Sequence, residues 1–156
     1  MVEWVVELKK FKEQQEKIDT LESRNQALVG SLLGVEVPKR WQEFYEQIVA
    51  CIETHNSLYP KDPRRQVEII HLQNKKGWFR VTANPIGSCA AFVEVLFDAE
   101  TRTISFTSPT LGNNATGNLL IDLAADNTVK IFLHREDSVS PERAAERVIQ
   151  PILSIL

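Results

Sequence analysis

Few residues in this chain could do covalent or acid–base chemistry, and they lie far apart. Cys89 follows Gly87 and Ser88, and a Gly-Ser-Cys turn can present a nucleophile. A thiolate, however, needs an adjacent base or positive group to react. His71 and His134 both fall on predicted strands, but no spacing ties either to Cys89. A small, half-buried residue at a strand entry is the better reading of Cys89. His55 stands near a predicted helix end, where its charge suits the C-terminal dipole. Three dispersed histidines, and two cysteines without CxxC spacing, make no metal site. The stretch Thr110–Asn118 carries two glycines but lacks the Gly-Lys-Ser/Thr of a phosphate cradle, so it reads as a flexible or partner-facing loop. Glu94, Asp98 and Glu100 are strand and turn carboxylates, and acid–base work requires a paired geometry. The sequence therefore assigns no catalytic, cofactor-binding or metal residue. It points to binding.

Charge gives one binding candidate. Lys61, Arg64, Arg65, Lys75, Lys76 and Arg80 cluster with Trp78, against only Asp62 and Glu68, and the segment that follows to Glu136 is net acidic. Such asymmetry suits docking of an acidic peptide more than a nucleic-acid backbone. The plainer alternative is a set of edge charges that keep a strand from pairing. The chain as a whole, 156 residues with 43% hydrophobic and 25% charged residues and a formal charge of −3, has no strong pull toward nucleic acid or membrane. No run of about 18 apolar residues is present to span a bilayer. With no export signal, the cysteines read as reduced thiols of an intracellular protein, cytoplasmic or nuclear.

The element that organises the rest is the stretch from Val2 to Val35. Trp4, Phe11, Ile18, Asn25 and Leu32 recur every heptad. A companion row lies on one side first (Met1, Leu8, Gln15) and then on the other (Leu21, Leu28, Val35). Alternating spacings of three and four are the pattern of a coiled-coil seam. The change of companion row is a small discontinuity in the repeat. Glu13 and Lys17 stand in the favoured order for an i,i+4 pair. Asn25 lies on the seam, where it can bond its twin and fix strand number and register. An isolated helix this thinly apolar is marginal, so something must cover the seam. The expectation is a parallel homodimer through Trp4, Leu8, Phe11, Ile18, Leu21, Asn25, Leu28 and Leu32. The alternatives are a helix folded back on its own domain and a coil with a different partner chain.

Residues 1–34 thus form a dimerisation helix, and 35–156 a single α+β domain. A break is expected at Gly34–Val37, then a second amphipathic helix with Pro38 at its first position and Trp41, Phe44, Tyr45, Ile48, Val49 and Ile52 on its apolar face. Leu58–Pro63 reads as a connector. From Gln66 the period changes to that of strands. Val67–Gln73 with Trp78–Ala83, and Ala91–Phe97 with Thr103–Thr107, read as hairpins. Ser108–Asn118 reads as a long exposed loop. Leu119–Leu123 with Val129–His134 forms a third hairpin whose first arm could instead be helical. Ser140 caps a last helix with Pro141 at its first position, which Pro151 should kink or end. The layout is helix, helix, an antiparallel meander of five or six strands, helix.

A coil leading through Leu33-Gly34-Val35-Glu36-Val37 into a small α+β head resembles the coiled-coil adaptors of kinetochores and the spindle checkpoint, which end in RWD-type domains. The stretches Phe92–Asp98 and Ile104–Pro109 are similar to the paired strands and closing Ser-Pro of such heads. The helix from Pro38 to about Asn56 and the extra hairpin depart from that pattern. The resemblance implies an adaptor or scaffold and carries over no catalytic residue. Two other functions fit an α+β head: a ligand or substrate pocket between sheet and helix, and a stoichiometric inhibitor or immunity-type protein using an acidic patch of Glu94, Asp98, Glu100, Asp122 and Asp126.

Overall fold

The structure is a computed structural model that describes residues 2–74, 77–83, 90–134 and 137–156. Its elements are α1 (Glu3–Leu58), β1 (Val67–His71), β2 (Trp78–Ala83), β3 (Ala91–Asp98), β4 (Thr103–Thr107), β5 (Gly117–Leu123), β6 (Val129–His134), β7 (Asp137–Val139) and α2 (Pro141–Leu153). Short 3-10 turns cover Leu72–Asn74 and Gly112–Ala115. The chain divides into two compact units, Met1–Val35 and Glu36–Leu156.

The expected break before Pro38 is absent. α1 runs unbroken from Glu3 to Leu58 with Pro38 inside it. A proline there removes one backbone hydrogen bond and crowds the carbonyl four residues earlier. That residue is Gly34. Ion pairs then knit the turn around the proline: Glu36 with Lys39 at 3.3 Å, Glu36 with Arg40 at 3.4 Å, and Arg40 with Glu43 at 2.8 Å. Val37, one residue before the proline, is buried. Packing and local charge thus override the breaker. The Glu13–Lys17 pair also gives way: Glu13 lies 4.0 Å from Lys9 instead.

In the second unit the sheet is a pure antiparallel meander in the order β1 to β7, seven strands and not the five or six expected. The seventh, Asp137–Val139, is too short to show alternation in sequence. It joins β6 with an irregular register between Phe132 and His134. The first arm of the third hairpin is a strand, β5, and pairs Ile121 with Ile131.

Alternation along the strands buries one face. Phe79, Val81, Val93, Val95, Ile104, Phe106, Leu119, Ile121 and Ile131 are almost wholly buried. Against them lie Val37, Trp41, Phe44, Ile48 and Ile52 of α1 and Ala144, Ala145, Val148, Ile149 and Ile152 of α2. Each large side chain fully buried here contributes about 1.5–3 kcal/mol. Trp41 stacks on Phe97 with centroids 4.9 Å apart, and Tyr45 meets Phe79 edge-on at 5.4 Å. Ser140 caps α2 as expected, accepting the Arg143 N–H at 3.2 Å. Pro151 sits in the last turn, and the helix ends two residues beyond it.

Candidate functional site

Two surfaces carry the residues singled out by sequence. The first is the seam of the first unit. Trp4 is 65% exposed, Phe11 64% and Leu28 68%, and Leu8, Ile18, Leu21 and Leu32 are also exposed. Asn25 is exposed on the same helix. Val5, Val6 and Val29 are exposed too; they lie off the two seam rows, which is why periodicity did not select them. The polar residues of this stretch bond locally, Gln15 Nε2 donating to Asp19 at 3.1 Å and the Thr20 hydroxyl to the Glu16 carbonyl at 2.9 Å.

The second surface is the basic cluster, which the fold pulls apart. Lys61, Arg64 and Arg65 precede β1, at the end where Val67 pairs with Ala83. Trp78 lies at the other end of that hairpin, opposite Leu96 of β3. Lys75 and Lys76 lie outside the described residues. Arg65 is held among Asp62 (3.7 Å), the Leu156 carbonyl (3.1 Å) and the Tyr59 ring (4.7 Å). Asp62 accepts the Arg64 N–H at 3.1 Å. On the open face of the sheet, Glu94, read from sequence as a strand carboxylate and part of an acidic patch, is instead a hub for Trp78 and Arg80. It accepts from Trp78 Nε1 at 2.6 Å and pairs with Arg80 at 3.2 Å, while the Arg80 guanidinium lies 4.3 Å from the Phe92 ring centre. Trp78 and Arg80 thus belong to a cross-strand cluster on β2 and β3. Exposed Ile70, Leu96 and Leu120 add apolar area to this sheet.

The candidates for chemistry do not converge. His55 Nε2 donates to the Arg65 carbonyl at 2.8 Å, and His71 Nε2 lies 3.0 Å from the Tyr45 hydroxyl. Burial, with Glu146 adding to it, pushes the Cys51 thiol up from its ordinary value, which favours the protonated form. Cys89 lies outside the described residues. Among the described residues no group of three metal-binding side chains occurs. None of their helices is long and apolar enough to cross a membrane.

The loop read as flexible or partner-facing is tied down. Ser108 is buried, and its hydroxyl donates to the Phe92 carbonyl at 2.5 Å and accepts the Leu111 N–H at 3.1 Å. Thr110 Oγ1 accepts the Phe92 N–H at 3.2 Å, and Ala115 is wholly buried. The acidic patch is also broken up. Asp122 pairs with Arg102 at 3.3 Å and Asp126 with Lys130 at 3.1 Å, and Asp98 Oδ1 accepts the Glu100 N–H at 3.0 Å. A recess of the head, about 350 Å³, opens among Arg40, Thr128 to Ile131 and Ser138 to Pro141. Arg40, its one guanidinium, is engaged by Glu36, Glu43 and the Val129 carbonyl at 2.9 Å.

No protein-family model, no curated protein and no solved structure matches this chain.

Proposed function

We propose that this protein is a non-enzymatic, homodimeric interaction module of the adaptor or scaffold kind. The helix of the first unit pairs with a second copy through Trp4, Leu8, Phe11, Ile18, Leu21, Asn25, Leu28 and Leu32. The α+β head docks a protein or peptide partner, with Lys61, Arg64 and the Trp78–Arg80 cluster as the surfaces on offer. The observation that supports this most is the exposure of the seam, with Trp4, Phe11 and Leu28 each more than three-fifths open. A lone helix gains little from propensity, and apolar side chains in water gain most when a matching surface covers them. A second copy supplies matching rows, and it gives Asn25 an amide to bond. The resemblance to coiled-coil adaptors with RWD-type heads, and an intracellular location, belong to the same proposal.

Light scattering on the intact chain tests it. The expected mass is that of a dimer. Leu21→Asp combined with Leu28→Asp should give a monomer whose head keeps its near-ultraviolet circular dichroism. An intact chain that stays monomeric at every concentration would sink the proposal.

A further inference from the structure

We infer that the dimer is parallel, in register and selective for its own copy, through Glu7 facing Lys12 and Lys17 facing Glu22 across the two strands. This rests on the homodimer proposed above and specifies its geometry.

The seam has two frames that share one residue. Up to Ile18, Leu8 and Gln15 alternate with Phe11 and Ile18. Beyond it, Leu21 and Leu28 alternate with Asn25 and Leu32. Ile18 therefore has seam neighbours three residues away on both sides, which amounts to three extra residues in the repeat and a local overwinding. This makes the spacing of the seam the same read in either direction from Ile18. Spacing alone therefore allows a parallel or an antiparallel pair.

Polarity separates them. The antiparallel alignment that keeps the whole seam in contact centres on Ile18. It sets Asn25 against Phe11 and Gln15 against Leu21, leaving amides facing apolar side chains in both copies. The parallel alignment sets Asn25 against Asn25 and Gln15 against Gln15, so each amide has a partner.

The flanking charges agree. In a parallel pair, the residue just before one seam row faces the residue five positions later on the other strand. In the first frame that brings Glu7 to Lys12 and Gln14 to Asp19. In the second it brings Lys17 to Glu22 and Arg24 to Val29. Two attractive pairs result on each side, and no like charges meet. In the single chain these charges are available. Glu7, Lys12, Lys17 and Glu22 are all exposed. Among the described residues none of the four has an ion-pair partner, whereas Lys9 and Glu13 between them are 4.0 Å apart.

The test uses three full-length chains: wild type, Glu7→Lys with Lys17→Glu, and Lys12→Glu with Glu22→Lys. In the parallel dimer each variant alone brings like charges together at both the 7–12 and the 17–22 pairs. Mixing the two variants restores every attraction. Each variant alone should dimerise roughly tenfold or more weakly than wild type. Their equimolar mixture should recover wild-type affinity, and native mass spectrometry should find it almost entirely heterodimeric. The difference should narrow in about 1 M salt, where the screening length falls to about 3 Å. In the antiparallel alignment Lys12 faces Glu22 directly, so the Lys12→Glu, Glu22→Lys chain would dimerise alone as wild type does. That result, or a statistical mixture of homo- and heterodimers, overturns the inference. A monomeric wild type would instead remove the homodimer on which it rests.

Discussion

Gly117 occupies a place where one added methyl group meets resistance. It pairs with Phe106 across β4 and β5, and a Cβ built there would lie 2.8 Å from Phe106 Cζ. Phe106 has little freedom to retreat, being 1% exposed with the Arg147 guanidinium 5.2 Å from its ring centre. Gly117→Ala should therefore destabilise the head by about 1–3 kcal/mol in urea unfolding. An unchanged midpoint would mean that the ring swings aside at no cost. Asp126 illustrates the opposite situation, an open site. The Thr128 hydroxyl and N–H, at 2.6 and 3.1 Å, and then Lys130 hold its carboxyl down from 3.8 to about 2. Because the folded value is the lower one, its contribution is present above pH 3.8 and is lost as the pH falls through about 2. Carbon-detected titration of Asp126 should find its midpoint near 2, moving back toward 3.8 in Thr128→Val. A wild-type midpoint already near 3.8 would contradict the bonded turn.

Among the elements, α1 carries the most visible conflict between local preference and final structure. Gly30, Gly34 and Pro38 lie within nine residues of one another inside a continuous helix. A Cβ at Gly30 or Gly34 would meet nothing within 4 Å. Each glycine therefore costs helix stability without a packing reason, about 0.5–1 kcal/mol relative to alanine. Gly30→Ala and Gly34→Ala should raise helicity by circular dichroism and raise the unfolding temperature of the arm. A loss of helicity in Gly34→Ala would show that the proline's ring needs the space that glycine leaves. The strands show the converse, agreement between pattern and fold. Alternating burial along β2 and β4 follows the sequence residue by residue, and β6 begins and ends where its Val, Ile and Phe content places it.

At the scale of the molecule, the two units differ in what stabilises them. The head closes a core between seven strands and two helical faces, with Phe44, Phe79 and Phe106 buried. The arm of Met1–Val35 leaves its apolar residues open. A chain starting at Gly34 should then remain folded and monomeric, with the same head unfolding temperature as the intact protein. Scanning calorimetry with light scattering would check both. A truncated chain that fails to fold would show that the arm contributes to the head's core.

The sequence alone determined what depends on neighbours along the chain. The heptad rows of the arm, the alternation of β1 to β6 and the Ser140–Pro141 start of α2 are all set by side-chain periodicity and capping chemistry within a few residues. Tertiary structure decided what depends on distant partners. The helix passes through Pro38 because Val37 and Trp41 are buried, and no local signal carries that. Asp137–Val139 becomes a strand only because β6 offers it an edge. The basic cluster, contiguous in sequence, is divided because an antiparallel hairpin sends Arg65 and Trp78 to opposite ends. Glu94, one carboxylate among many in sequence, becomes the hub of Trp78 and Arg80 because register sets β3 beside β2. Periodicity is a property of the chain, whereas proximity across strands exists only once the sheet has formed.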